Sequence, residues 1–103
     1  MGLRRLRDGS APALSEKRAV TRYFLHLRDS TDDLLDTEGQ ELADLEEVRS
    51  KVMIAARDVI AGDLRNGLID LRYRIDAENG AGEIVYTLAF RHAFSIIPED
   101  EAA

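Results

Sequence analysis

The sequence predicts an α+β fold of β-β-α-β-β order, with a small four-stranded, mainly antiparallel sheet and one helix packed on one face. Two observations predict it. A long amphipathic helix pattern runs through residues 44–67, and a pair of strand-like segments lies on each side of it. Two hairpins joined by a helix combine most simply when the helix covers one face of a single sheet. A chain of 103 residues suits one such domain.

The helix has clear start and stop signals. Asp44 can cap its first turn, and Glu47 three residues later completes a capping-box pair. Gly67 ends it, because glycine accepts the left-handed conformation that follows a helix. Apolar residues at helical spacing predict the buried stripe: Leu45, Val48, Val52, Ala55, Ala56, Val59 and Ile60. Ile54 points away from this stripe, and we interpret it as a side chain available to a partner.

The first hairpin is predicted from residues 20–28, a run rich in β-branched and aromatic residues. Alternation puts Phe24 and His26 on the face away from the helix. The Asp- and Ser-rich residues 29–33 form a turn, and a short returning strand begins at Leu34. Residues 38–39 then turn the chain toward the helix. Side chains expected on the helix side are Tyr23, Leu25 and Leu27.

The second hairpin is predicted from two alternating runs, residues 71–78 and 83–90, joined by the glycine-containing turn 79–82. Val85 and Thr87 fall on the face that carries Phe24. Residues 91–97 fit either a short helical turn or the end of a strand. Leu71 and Phe90 fall on the side that faces the helix, and the side chains expected to pack against it are Tyr73, Ile75, Tyr86 and Leu88.

The charge and composition of the chain limit its domain organisation and the kinds of partner that it can bind. Residues 1–22 hold six basic and two acidic residues, a net of +4 against −6 for the whole chain, so the remainder carries −10. We predict a disordered basic leader at residues 1–19, one domain at 20–97 and a frayed acidic tail at 98–103. The acidic domain argues against nucleic-acid binding. No apolar run approaches the ~20 residues of a membrane span, and the absence of cysteine fits the cytoplasm.

No catalytic, cofactor or metal site is predicted. His26 and His92 have no neighbours at metal-ligand spacing. The acidic loop, residues 29–38, invites a calcium interpretation, but with Gly39 at the central glycine position the first and last ligands would be Leu34 and Leu45. The serines lack the context of an activated nucleophile. The sequence therefore predicts a protein that is not an enzyme.

The first strand and the helix start also resemble a known family. Residues 22–29 read RYFLHLRD, residues 36–45 read DTEGQELADL, and residues 55–58 read AARD. These motifs are similar to those of a family of short, mostly alphaproteobacterial proteins that open with an RYFFHLRD-like strand and form a domain of unknown function. The likeness extends over residues 22–97. It implies a bacterial protein of this fold and carries over no site residues. The leader before Arg22 departs from the family pattern, in which the first Met lies close to this strand.

The leading hypothesis is a non-enzymatic protein-interaction module that self-associates through the sheet face that no helix covers. That face mixes apolar and cationic side chains, which suits a homodimer or another protein partner. The partner-binding residues predicted are Phe24, His26, Val85 and Thr87, with Ile54 as an addition. The alternative is a small-ligand or cation-binding regulatory domain that uses the acidic loop.

Overall fold

The computed structural model describes residues 20–102, so the predicted leader at residues 1–19 lies outside the described residues. The elements follow one another in the order strand, strand, strand, helix, strand, strand, helix. Their bounds are β1 Thr21–Arg28, β2 Asp33–Leu34, β3 Gln40–Leu42, α1 Leu45–Arg65, β4 Arg74–Glu78, β5 Ile84–Ala89 and α2 Glu99–Ala102, with a 3₁₀ turn at Phe90–His92. In the described part of the chain, no helix has the length and apolar character needed to cross a membrane.

The sheet is antiparallel throughout and has the order β2-β1-β4-β5. The short strand β3 also pairs with β1, beyond the end of β2, so both short strands lie along the same side of β1. The predicted α+β fold is confirmed. The sheet gains one strand over the predicted four, because the residues expected only to lead into the helix form β3.

Helix α1 begins and ends where the sequence predicts. The Asp44 carboxylate accepts a hydrogen bond from the Glu47 backbone N–H at 2.8 Å, and the Glu47 carboxylate accepts one from the Ala43 N–H at 2.7 Å. These bonds satisfy donors that the first helical turn leaves free. At the other end Asn66 is the C-cap, and Gly67 follows with a φ of +83°.

The core lies between α1 and the sheet. Val48, Val52, Ala56 and Ile60 form the buried stripe of α1, while Leu45 is 42% exposed. Phe90, at the end of β5, is fully buried and packs near Tyr73 at 5.9 Å between ring centroids. The sheet and the following segment contribute the other buried apolar residues: Leu42, Ile75, Ala77, Leu88 and Ala93.

One strand prediction is corrected by the structure. The strand expected from residue 71 begins at Arg74, because the Asp70 carboxylate accepts the Arg72 backbone N–H at 3.0 Å and holds a turn there. Leu71 is consequently 45% exposed rather than packed under the helix. The segment predicted as an acidic tail contains the single-turn helix α2.

Candidate functional site

The face of the sheet opposite α1, called here the open face, carries a network of charged side chains. The face is lined by Phe24, His26 and Arg28 of β1, Arg74, Asp76 and Glu78 of β4, and Thr87 of β5. Directly opposed pairs on it are Phe24 with Glu78, His26 with Asp76, and Asp76 with Thr87. Opposed side chains on one face of an antiparallel pair contact one another, so the network spans the three strands β1, β4 and β5.

Asp76 is the centre of that network and is only 5% exposed. Its carboxylate accepts hydrogen bonds from Arg28 Nη1 at 2.9 Å, Thr87 Oγ1 at 2.8 Å and Arg74 Nε at 3.2 Å. Burial by itself raises the pKa of Asp76, but the bonds from Arg28, Thr87 and Arg74 outweigh it and hold the pKa below its ordinary value. A buried carboxylate with this many donors is fully satisfied and stabilises the sheet.

His26 is also buried, at 7% exposed, and both of its ring nitrogens are bonded. Nδ1 accepts the backbone N–H of Asp36 at 3.1 Å, and Nε2 lies 2.8 Å from a Glu78 carboxylate oxygen. Because Nδ1 acts as an acceptor, the geometry assigns the ring proton to Nε2, which donates to Glu78. The ring of Phe24 stacks beside the His26 ring at 6.5 Å. His26 is therefore a structural group, with neither nitrogen free for a ligand.

The outer side of β1, called here the closed edge, is covered by β2, β3 and one carboxylate between them. Leu25 lies between the positions paired to β2 and those paired to β3. Its backbone N–H donates to Asp36 Oδ2 at 3.1 Å. Asp36 Oδ1 accepts the N–H groups of Glu38 at 3.1 Å and Gly39 at 2.9 Å. Asp36 thus replaces the strand backbone that is missing at this point.

The charge of Asp36 and the small size of Gly39 both suit the closed edge. Burial by itself raises the pKa of Asp36, but the N–H groups of Gly39, Leu25 and Glu38 hold it below its ordinary value. Gly39 has a φ of +72°, and a Cβ there would lie 2.8 Å from the Tyr23 carbonyl oxygen and 2.9 Å from Phe24. Only glycine fits this position without a shift of the neighbouring backbone.

The carboxylates of the acidic loop do not converge on one point where a cation could bind. The Asp29 carboxylate accepts the N–H groups of Thr31 and Asp32 at 2.7 and 2.6 Å, and these bonds lower its pKa. Asp33 lies 3.7 Å from Arg28, and Asp36 is occupied as described. Within residues 20–102, no group of three or more His, Asp or Glu side chains is arranged to hold a metal ion.

The outer side of β5, called here the free edge, differs from the closed edge. In the described residues, no strand pairs with it. The Phe90 N–H donates to the Tyr73 carbonyl oxygen at 3.0 Å. Hydrogen-bonding directions alternate along a strand, so Leu88 also faces β4, whereas Thr87 and Ala89 direct their backbone N–H and C=O groups outward.

Of the features that protect strand edges, β5 has one, the β-bulge at Val85. Its six residues read IVYTLA, with neither charge nor proline. The chain that follows turns toward α1, where Arg57 Nε donates to the Ala93 carbonyl oxygen at 2.8 Å. The described segment after β5 therefore packs beside the helix. Within residues 20–102, no strand therefore pairs with the outward backbone groups of Thr87 and Ala89.

The five predicted partner-binding residues do not form one surface. Phe24 is half-buried and Thr87 is exposed on the open face, but Glu78 and Asp76 of β4 separate the two strands that carry them. Val85, expected beside Phe24, is instead the extra residue of a β-bulge and packs partly against the core, while Ile84 is paired to Glu78. Ile54 is 54% exposed on α1.

An apolar hollow of about 320 Å³ lies beside the closed edge, between the sheet and the helix. Leu34 and Leu35 of the acidic loop form one wall, and Ala55 and Val59 of α1 form the other. Asp36 reaches its rim, but the oxygens of that carboxylate already accept backbone hydrogen bonds. The hollow offers apolar contact without a free charged group to orient a ligand.

Sequence reasoning missed the role of Asp36, and it left association through an edge strand open beside association through the open face. The signal for the free edge was present, since residues 84–89 contain no charged residue. The role of Asp36 had no local signal, because it depends on how β2 and β3 are registered against β1.

Comparison with known proteins identifies a family and no individual relative. The family model described as "Domain of unknown function (DUF6894)" matches residues 22–91. Neither the curated proteins nor the solved structures yield a match. The matched range runs from the start of β1 to the 3₁₀ turn after β5 and so contains the whole sheet and α1. This chain belongs to the DUF6894 family of domains of unknown function.

Proposed function

We propose that this chain is a non-enzymatic protein-interaction module that binds an extended segment of another protein chain along the free edge. The observation that carries the proposal is β5, a strand of six uncharged residues whose outer side pairs with no strand in residues 20–102 and which has outward backbone groups at Thr87 and Ala89. Added strands gain main-chain hydrogen bonds in this way. The module acts in the bacterial cytoplasm, an assignment that rests on the likeness of residues 22–29 to a bacterial family.

The hydrogen bonding of the buried polar side chains favours a binding role over a catalytic one. Among the described residues, the buried polar side chains are His26 and Asp76. Each has hydrogen-bond partners within the domain, and neither lines an open hollow. A general acid or base must reach a substrate proton, which these two groups cannot do in this arrangement.

Site-specific photo-cross-linking in the cells that make the protein tests the proposal. The cross-linking amino acid replaces Ile84 on the free edge or, as a matched control, Ile54 on α1, since the two are 47% and 54% exposed. We expect protein adducts from position 84 and none from position 54. The second substitution Ala89→Pro should abolish the adducts, because proline removes an outward N–H.

Two results would contradict the proposal. One is an adduct from position 54 with none from position 84, which would move binding to the outer surface of α1. The other is an adduct from position 84 that survives Ala89→Pro, which would mean that the strand backbone is not used.

A second candidate function is the binding of a small apolar ligand, supported by the hollow beside the acidic loop. Thermal shift against divalent cations and small metabolites tests it, since a ligand that binds only the folded protein raises the melting temperature. Leu35→Asp should remove such a shift by placing a charge at the wall of the hollow. A shift that is unchanged in Leu35→Asp would place the ligand elsewhere.

A further inference from the structure

We propose that a hollow at the C-terminal end of α1, called here the helix-end hollow, binds a small monocarboxylic acid. The apolar body of the acid fills the hollow, and its carboxylate pairs with Arg57. This binding is a function separate from strand addition at the free edge. The hollow has a volume of about 400 Å³, and its lining includes Arg57, Ile60, Leu64, Ile69, Phe94 and Ile96.

Three separate segments form the helix-end hollow: the last turns of α1, the connection from α1 to β4, and the segment after the 3₁₀ turn. Ile60 belongs to the buried core, and Ile69 and Phe94 are half-buried and pack against that core. Leu64 and Ile96 are 62% and 77% exposed. The hollow therefore has a floor that is part of the folded core and a mouth that is open to solvent. Its volume lies in the lower part of the ~300–1,000 Å³ range of small-molecule sites.

Arg57 provides the charged group of this lining, since the other lining side chains are apolar. Its Nε donates to the Ala93 carbonyl oxygen at 2.8 Å, which holds the guanidinium between α1 and the segment after β5. Within the described part of the chain, Nη1 and Nη2 have no acceptor, and no carboxylate forms an ion pair with Arg57. The helix itself supplies no acidic partner, because the residues three and four positions away are Met53, Ile54, Ile60 and Ala61.

The charge of the domain favours a carboxylate over a phosphate as the anion. A guanidinium can donate two parallel hydrogen bonds to the oxygens of either group. The chain after residue 22 carries a net charge of −10, which repels an anion more strongly as the charge of that anion increases. One guanidinium offsets a singly charged carboxylate, whereas a phosphate monoester has a charge near −2 at neutral pH. The apolar side chains beside Arg57 then contact the hydrocarbon part of the acid.

The hollow beside the closed edge differs from the helix-end hollow in the charge at its rim. Its walls are also apolar, but the charged group that reaches it is Asp36. An ionised carboxylate accepts hydrogen bonds and donates none, so it repels an acid. A carboxylic acid should therefore distinguish the two hollows, whereas the corresponding neutral amide should not.

Titration of the full-length, ¹⁵N-labelled protein with sodium octanoate, followed by NMR, tests the proposal. We expect saturable shifts of the amide signals of residues 57–64, 68–70 and 93–96. Octanamide has the same hydrocarbon chain without the charge and should bind about tenfold more weakly, because the charge-assisted hydrogen bonds are lost. Sodium acetate has the charge without the hydrocarbon chain and should give no saturable shift.

Two matched pairs of variants test the assigned residues. Arg57→Met keeps an apolar stem but removes the guanidinium, so octanoate should bind about tenfold more weakly while the affinity for octanamide stays the same. Arg65→Met removes an exposed arginine of α1 that does not line the hollow, and it should change neither affinity.

The second pair does not depend on the bond between Arg57 and Ala93. Ile96 and Ile97 are neighbours with 77% and 73% exposure, but of the two only Ile96 lines the hollow. Ile96→Asp places a like charge beside the carboxylate and should weaken octanoate binding about tenfold. Ile97→Asp adds the same charge outside the hollow and should weaken it less than about threefold.

Three results would overturn the proposal: no saturable shift with octanoate, equal affinities for octanoate and octanamide, or an octanoate affinity that Arg57→Met and Ile96→Asp leave unchanged. Shifts confined to Leu34 and Leu35 would also overturn it, because they would place the acid in the hollow beside the closed edge. Each of these results leaves strand addition at the free edge to be decided by the cross-linking at position 84, since Ile84 lines neither hollow.

Discussion

The two edges of this sheet are treated in opposite ways. At the closed edge, two short strands and the Asp36 carboxylate together satisfy the outward backbone of β1. At the free edge, β5 presents its outward N–H and C=O groups with no described strand beside it and no charge along it. Natural proteins usually protect exposed strands with charge, proline or a covering segment, so the contrast supports the proposal that the free edge binds another chain.

The closed edge also shows what protection requires in this small domain. A single carboxylate replaces three backbone acceptors, one glycine allows the chain to approach within contact of β1, and His26 fixes the backbone of Asp36 from the open face. These groups serve the domain itself. The free edge has none of them, and so substitutions at the two edges should have different consequences, one for stability and the other for association.

The largest expected effect is from Asp36→Ala at the closed edge. The change leaves the N–H groups of Leu25, Glu38 and Gly39 without their acceptor, which should lower the free energy of unfolding by about 3 kcal/mol. Urea denaturation measures it. The control Asp33→Ala, an exposed residue 3.7 Å from Arg28, should cost less than about 1 kcal/mol. Equal effects for the two variants would mean that Asp36 does not close the edge.

The next largest effect is from Gly39→Ala. Both Gly39 and Gly67 have left-handed backbone, which costs about 1–2 kcal/mol for alanine. At Gly67 nothing lies within 4 Å of the added Cβ, whereas at Gly39 the Tyr23 carbonyl oxygen lies at 2.8 Å. Gly39→Ala should therefore destabilise the protein by at least about 1 kcal/mol more than Gly67→Ala. A thermal melt of the pair would refute the close approach if the two losses were the same.

Whether a feature of the fold could be predicted from the sequence depended on how close along the chain the residues that determine it lie. The cap at Asp44 and the stop at Gly67 each depend on residues within a few positions, and both were confirmed. Of the predicted stripe, Val48, Val52, Ala56 and Ile60 are buried, whereas Leu45 is exposed. The predicted start of the second hairpin was wrong because the Asp70 side chain holds a turn there. The turn signal is local, but the alternating pattern of residues 71–78 concealed it.

The site was harder to predict than the fold, because it depends on strand register. Phe24 and Val85 were expected side by side, but β4 lies between their strands and a bulge at Val85 shifts the alternation of β5. His26 was placed on the correct face, yet its burial depends on Asp36 and Glu78, ten and 52 residues away. Periodicity within one strand contains no information about such contacts.

Protonation of Asp36 at low pH should weaken the hydrogen bonds that hold the closed edge, which gives a further test of how the two edges differ. The pKa of Asp36 is below its ordinary value in the folded protein. Its contribution to stability is therefore complete above the unfolded-state pKa of about 4 and is lost as the pH falls through the lower folded-state pKa. We expect the free energy of unfolding to fall from about pH 4 toward pH 2, and to fall less steeply in Asp36→Asn. Identical slopes for the two proteins, measured by urea denaturation, would contradict this assignment.

The smallest effect is expected from Thr87→Val, which separates the open face from the free edge within one residue. Valine has a similar shape but cannot donate to Asp76, so about 1 kcal/mol of stability should be lost. Its backbone N–H and C=O are unchanged, so the yield of cross-linked protein adducts from position 84 should stay the same. If the adduct yield instead falls while urea denaturation shows no loss of stability, the Thr87 side chain, and not its backbone, is the group that contacts the partner.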